Sequence, residues 1–411
     1  MAQGFDPAAA TAAYLATLPP EVHAKATAYT QGGHWVLLWT AVVSVLVSWI
    51  VLRSGVLVRV RGGVETAGPR PWLAVAAVVV VDSILEGVLS IPWDAYSGWW
   101  REKSYGFTNR AFGGWLAEHG LKLAIGTVAA LITFSLLYWL IRRAPRTWWL
   151  WASVGLAFVS MVFFIAQLFL IEPLFNTYKQ APPGPVRDEV VAMAKQVGVP
   201  SDKILIYNGS KQSNRYTANA SGLFGFGRVA MSDVMFQKDA DLAEVRGVVG
   251  HEMGHYVRKH ILLGIAFQSV MALIGLFLVA RLFPWAAGVL GAKGVTGIAD
   301  PAGLPVIGII LAVLGLLATP INNTFSRWRE ADADHFSVVH FNEPDGLAKA
   351  LVKTIEYRAA TPSPVEEFIF YDHPSVGSRV RAMMDWKAAH PPSPPLTPAK
   401  AGAQTEPPTS K

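Results

Sequence analysis

The chain has 411 residues, 52% hydrophobic and only 16% charged, with a formal net charge of +6 and no cysteine. A soluble domain carries about 25% charged residues, so the deficit argues against an ordinary soluble protein and for lipid-facing surface. Without cysteine there are no disulfides, no thiolate metal ligands and no cysteine nucleophile. Lys and Arg are spread through connections, which speaks against nucleic acid and for anionic lipid headgroups as partners.

Residues 1–34 form a polar N-terminal segment. It lacks a cationic start followed by an apolar run, so no cleavable signal peptide is expected. Six segments then approach the roughly 20 apolar residues that a membrane helix needs. They are Trp35 to Leu52, Trp72 to Ile91, Leu121 to Ile141, Trp148 to Ile171, Ile261 to Leu282 and Leu304 to Ile321. Trp35, Trp72, Trp93, Trp148 and Trp149 stand at their ends, where aromatic residues gather at membrane interfaces.

The first four segments occupy residues 35–171 and the last two residues 261–321. Residues 172–260 and 322–390 are expected to be two parts of one polar domain. Within the first part, Gly184 to Val199 reads as an amphipathic helix. Lys203 to Tyr207 and Arg228 to Met231 read as short strands, and Gly225 and Gly227 as hairpin turn residues. Ala240 to His260 reads as a helix, and Asn322 to Ala360 as mostly helical. Residues 391–411, rich in Pro, Ala, Thr and Lys, are expected to be disordered. No lysine-containing phosphate loop is present, so nucleotide use is not indicated.

The chemistry concentrates in His251-Glu252-Met253-Gly254-His255. Two histidines four apart on a helix share a face and can bind one metal ion, while the intervening glutamate can take a proton from metal-bound water. A catalytic zinc usually has three protein ligands. A third histidine ten residues after the first is absent, because Ile261 stands there. His260 is out of register and reads as a satisfied surface or interface histidine. The third ligand is therefore expected from Glu330 or Asp334, four apart on a second helix. One would bind the metal and the other would accept the free N–H of a ligating histidine. Asp332 projects from another face and reads as solvated.

From Pro92 to Arg381 the chain resembles the Ste24 family of integral-membrane zinc metalloproteases, also called CAAX prenyl protease 1, in peptidase family M48. The residues that carry this are Trp93 to Tyr96, the Arg101 to Asn109 loop and Glu172 to Asn176. With them come Gly209-Ser210, Ala218 to Gly222, His251 to His255, Glu330 with Asp334, and His373-Pro374 with Arg379. The resemblance implies a mainly α, polytopic membrane protein, a bundle of about six transmembrane helices joined to a zincin-like α+β metalloprotease domain. It implies one zinc ion per chain on His251, His255 and Glu330, with Glu252 as general base and Asp334 orienting a histidine ligand. His373 and Arg379 would reach substrate or the developing oxyanion, and Asn219 and Ala220 would pair with substrate backbone. Substrates would be membrane-associated or lipid-modified peptides, or membrane proteins. Eukaryotic members have seven membrane helices; six are counted here.

Asp82 and Glu86, mid-segment and four apart, either line a water-filled chamber or pair with a base on another segment. The Arg101 to Arg110 loop reads as a solvated structural connection, with a substrate gate as the alternative. Arg53, Arg59, Arg61, Arg70, Arg142, Arg143 and Arg146 flank two connections that the positive-inside rule places in the cytoplasm. The family arrangement instead places the catalytic domain there, and that orientation is expected here. A non-catalytic membrane scaffold is the alternative function, but it would not need Glu252 beside two ligands.

Overall fold

The computed structural model describes residues 5–66, 68–108, 110–167, 172, 176–211, 217–222, 227–237, 240–355 and 358–391. Asn109, residues 173–175, Gly225, most of the loop between Gly209 and Gly227, and the expected tail from 392 onward lie outside the described residues.

Helices dominate. Several open on a proline (Pro7, Pro20, Pro71, Pro185, Pro344 and Pro364), where the missing N–H costs no hydrogen bond and φ is already helical. Five helical stretches are long and apolar enough to cross a membrane: Pro20–Ser54, Pro71–Ser104, Phe112–Arg143, His260–Val289 and Pro301–Phe341. Each contains one of the expected segments. The remaining segment is helical over Trp148–Ala166, and its residues 168–171 lie outside the described set. Along Phe112–Arg143, Leu121, Ile125, Val128, Ile132 and Leu136 form an exposed stripe at helical spacing, which is the surface expected toward lipid. The opposite flank packs Tyr138 and Ile141 against Val75, Val79, Phe283 and Ile307 in the bundle core.

Successive spans run in alternating directions. At one end Arg53 donates to the Gly291 carbonyl at 3.2 Å and Arg61 pairs with Asp300, tying two connections together. Both polar portions gather at the other end. There the first span does not start at the membrane: its helix begins at Pro20, inside the polar N-terminal segment. Ala26 is buried with Val338, Leu351 and Val380, and Thr30 Oγ1 accepts the Ala359 N–H at 2.9 Å. Arg101 stacks 3.9 Å over the Tyr29 ring and donates to its carbonyl, while Tyr29 donates to Glu102 at 2.8 Å. These contacts clamp the end of the second span to the first.

The helix Pro7–Leu15 docks on the C-terminal portion, where Tyr14 donates to Asp345 at 2.7 Å and Lys387 donates to the same carboxylate at 2.6 Å. Burial would raise the Asp345 carboxyl, but the hydrogen bonds from Lys387 and Tyr14 outweigh it and hold it below the usual aspartate range. A depressed folded value stabilises the docked state above the unfolded pKa of about 3.9 and is lost as pH falls through the folded value. Protection of residues 7–15 from hydrogen exchange is therefore expected to fall on acidification below about pH 4. Asp345→Asn should remove most of that pH dependence.

A four-stranded sheet lies in the first polar portion, in the order β1 (Tyr178–Gln180), β2 (Ile204–Tyr207), β4 (Arg228–Ser232), β3 (Ala218–Ser221). β2 and β4 are parallel, and both outer pairings are antiparallel. β3 is an edge strand. Val245, Val249 and Met253 of the helix Leu242–Val257 pack with Ala220, Val229 and Met231 of this sheet, each contributing roughly 1.5–3 kcal/mol by burial. The same helix crosses Pro344–Lys353 at very short range. A Cβ added at Gly346 would sit 2.0 Å from the Ala243 carbonyl oxygen, a backbone atom that cannot turn away. Gly346→Ala is expected to destabilise this portion by at least about 1–3 kcal/mol, measured by thermal unfolding in detergent.

Candidate metal centre

The helix carrying the histidine motif starts at Asp241, whose side chain accepts the Ala243 N–H at 2.9 Å. With one face fixed on the sheet, another meets the long helix Leu304–Phe341. Gly254 permits the approach: a Cβ there would lie 3.1 Å from Ala333 Cα. That crossing brings Glu330 and Asp334 against the two histidines.

The Nε2 atoms of His251 and His255 are 3.1 Å apart, with their rings nearly perpendicular at 84°. Glu330 places one carboxylate oxygen 3.3 Å from His251 Nε2 and the other 3.4 Å from His255 Nε2. On the outward side, His251 Nδ1 lies 2.8 Å from Asp334 and His255 Nδ1 lies 2.8 Å from His260 Nδ1. If each Nδ1 donates outward, both Nε2 lone pairs point inward, toward each other and toward a carboxylate. Three electron pairs converging without a proton between them repel unless a cation lies among them. Ligands about 2.0–2.1 Å from a tetrahedral centre lie roughly 3.3 Å apart, and these separations match. Among the described residues, His251, His255 and Glu330 form a cluster able to hold a metal ion.

The electrostatics agree. Burial would lower the His251 imidazole, but hydrogen bonds with Asp334 and Glu330 raise it, so the surroundings favour positive charge at this point. Burial pushes the Glu252 carboxyl above its usual range, with His251 and His255 pulling it back. Its side chain remains partly exposed.

The other expected site residues fall into two groups. His373 lies beside the cluster, its Nε2 3.5 Å from Glu330 and its Nδ1 2.9 Å from Asp372, and it is partly exposed. Asn219 and Ala220 lie on the edge strand β3, opposite Ala230 and Val229. Arg379 takes a different position from the one the resemblance implied. It is buried behind His251, donating from Nε and Nη2 to the two oxygens of Asp334 at 2.6 Å each. A guanidinium held in that fork is directed to Asp334 and so acts on His251 from behind.

His260 is a satisfied interface histidine, as its place in the sequence suggests, whereas Asp332 departs from the solvated position expected of it. His260 is 1% exposed and contacts both His255 and Asp332, and Asp332 accepts from it instead of standing free in solvent. Below, in the bundle, Ser48 donates to Glu86 at 2.5 Å, and Asp82 is buried with Oδ1 unpartnered. Among the described residues the contact found for Glu86 is this Ser48 hydroxyl and not a basic side chain.

Fold and site together define a metalloprotease built into a membrane. Residues 181–387 match the model of peptidase family M48, and residues 8–177 match that of the CAAX prenyl protease N-terminal region with five membrane helices. The chain belongs to peptidase family M48, and it is a multi-pass integral membrane protein. It is 27% identical over 340 residues to the Bacillus subtilis uncharacterized metalloprotease YhfN, covering 81% of this chain and 78% of that protein. It is 24% identical over 321 residues to CAAX prenyl protease 1 of Saccharomyces cerevisiae, covering 73% and 70%. The crystal structure of S. mikatae Ste24p shares the fold with a TM-score of 0.70 at 19% identity, over 92% of this chain and 95% of that one. The Ste24 resemblance read from the sequence is borne out.

Proposed function

We propose that this metalloprotease is a zinc endopeptidase with one ion held by His251, His255 and Glu330, acting on membrane-associated or lipid-modified peptides of the CAAX type. The observation that carries the metal assignment is the convergence of two imidazole lone pairs and a carboxylate whose outward sides are already occupied. When bound, zinc supplies Lewis acidity toward the peptide carbonyl and acidifies a water. Glu252 takes a proton from that water and delivers it to the leaving amine. Its raised affinity for a proton suits both halves of that task. His373, partly exposed beside Glu330, donates to the oxygen that gains charge. Asp334, gripped by Arg379, fixes the tautomer of His251. The free edge of β3, with Asn219 and Ala220, accepts substrate as an added antiparallel strand. Residues 172–260 and 322–390 act as one catalytic unit at the membrane end of the bundle.

The lipid-modified class is supported by the names of the relatives and by the position of the site at the end of an apolar bundle. Purified protein in detergent is expected to contain about one zinc per chain and to cleave a farnesylated peptide more efficiently than its unmodified counterpart. Equal cleavage of both would remove the lipid preference, and a folded preparation that takes up no zinc would remove the metal assignment. The catalytic unit is proposed to face the cytoplasm. The cysteine-free chain makes this testable with Lys195→Cys and Lys293→Cys in intact cells, where an impermeant maleimide should reach only position 293.

A further inference from the structure

We propose that His260 and Asp332 form a hydrogen-bonded chain that sets the tautomer and orientation of His255, making His260 a positioning residue for the metal centre. The inference rests on the metal assignment above. His255 and His260 are five residues apart, which on a continuous helix would separate them by about 140°. The helix is not continuous. Lys259 adopts a left-handed conformation with φ 57°, ending one helix and starting the next at His260. This break turns the His260 ring back onto His255, with ring centroids 4.9 Å apart.

Only one arrangement of protons fits the contacts. For His255 Nε2 to offer a lone pair inward, its Nδ1 must carry the hydrogen and donate to His260 Nδ1, 2.8 Å away. His260 Nδ1 is then the acceptor, so its hydrogen sits on Nε2, which faces the Asp332 carboxylate at 3.1 Å. Every donor has an acceptor and no proton competes for the inward nitrogen. His260 is buried, so water cannot readily replace it, and the Trp328 ring lies 5.8 Å away. Arg258 Nε lies 3.5 Å from Asp332 and holds the outer carboxylate. His251 has the matching device in a shorter form, Asp334 backed by Arg379. The two histidines are thus oriented by two carboxylates from one helix, two residues apart on either side of Ala333, one directly and one through a third imidazole.

The test is zinc affinity of the full-length protein in detergent, by chelator competition, with thermal unfolding of each zinc-stripped form alongside. His260→Phe keeps bulk but cannot accept, and Asp332→Ala removes the outer anchor. Both are expected to weaken zinc binding by roughly 10–100-fold while the stripped forms unfold near the parent temperature. His260→Gln, whose amide oxygen still accepts, should retain more affinity than His260→Phe. Unchanged affinity in His260→Phe overturns the proposal. So does an equal loss in the Phe and Gln variants that tracks a fall in unfolding temperature, since His260 would then only fill space. A parent protein that binds no zinc overturns the metal assignment itself.

Discussion

Glu252→Gln is expected to lower peptide cleavage by about 10²–10⁴-fold and to leave the metal in place. The substitution keeps the shape and part of the hydrogen bonding of the side chain but removes its capacity to accept a proton. Neither histidine depends on Glu252 for its orientation, because their outward nitrogens are held by Asp334 and His260. Metal content and cleavage should therefore separate. The measurement is zinc by mass spectrometry beside the steady-state rate on one peptide, for parent and variant from the same purification. A variant that retains more than a tenth of the parent rate would move the base elsewhere. A variant that loses its metal would make Glu252 a structural partner of the site.

Arg379→Met is expected to be the most damaging substitution away from the metal ligands. It strands Asp334, which is 3% exposed and receives two charge-assisted bonds from this one guanidinium. Breaking a buried pair from one side costs about 3–5 kcal/mol, because the remaining carboxylate loses its charged partner and keeps only the His251 N–H. Asp334→Leu combined with Arg379→Met removes both charges and should recover much of that stability. It should not recover metal binding, since His251 would still lack its acceptor, and the loss there is expected to be roughly 10–100-fold in affinity. Thermal unfolding and zinc competition on the single and double variants separate the two effects. If the double variant binds zinc like the parent, Asp334 does not orient His251.

The membrane bundle was legible because length and apolarity are one-dimensional properties. A run of apolar residues such as Leu121 to Ile141 must be helical in lipid, where every backbone group needs an internal partner. The ligand motif was legible for a similar reason, since spacing of four on one helix already places His251 and His255 together. Spacing made Glu330 and Asp334 legible as a pair but left their division of labour open, since both share a face of the same helix, and only the family resemblance suggested which was which. The crossing at Gly254 decides it by setting Glu330 opposite the Nε2 atoms and Asp334 behind His251. β1 escaped notice, as three residues carry no periodicity. The N-terminal segment was read as a separate polar stretch, and its burial against Val338 and Val380 depends on a surface more than 300 residues away.

The sequence by itself determined that this chain crosses a membrane several times and carries two histidines and an acidic helix of a kind that could share one metal ion. Those conclusions rest on composition and on contacts within single helices. The tertiary structure decided which groups stand behind the ligands. His260 becomes a partner of His255 only because Lys259 breaks the helix, and Arg379 turns to Asp334 only because its helix packs behind the site. Both depend on how separate elements cross, which local spacing does not encode.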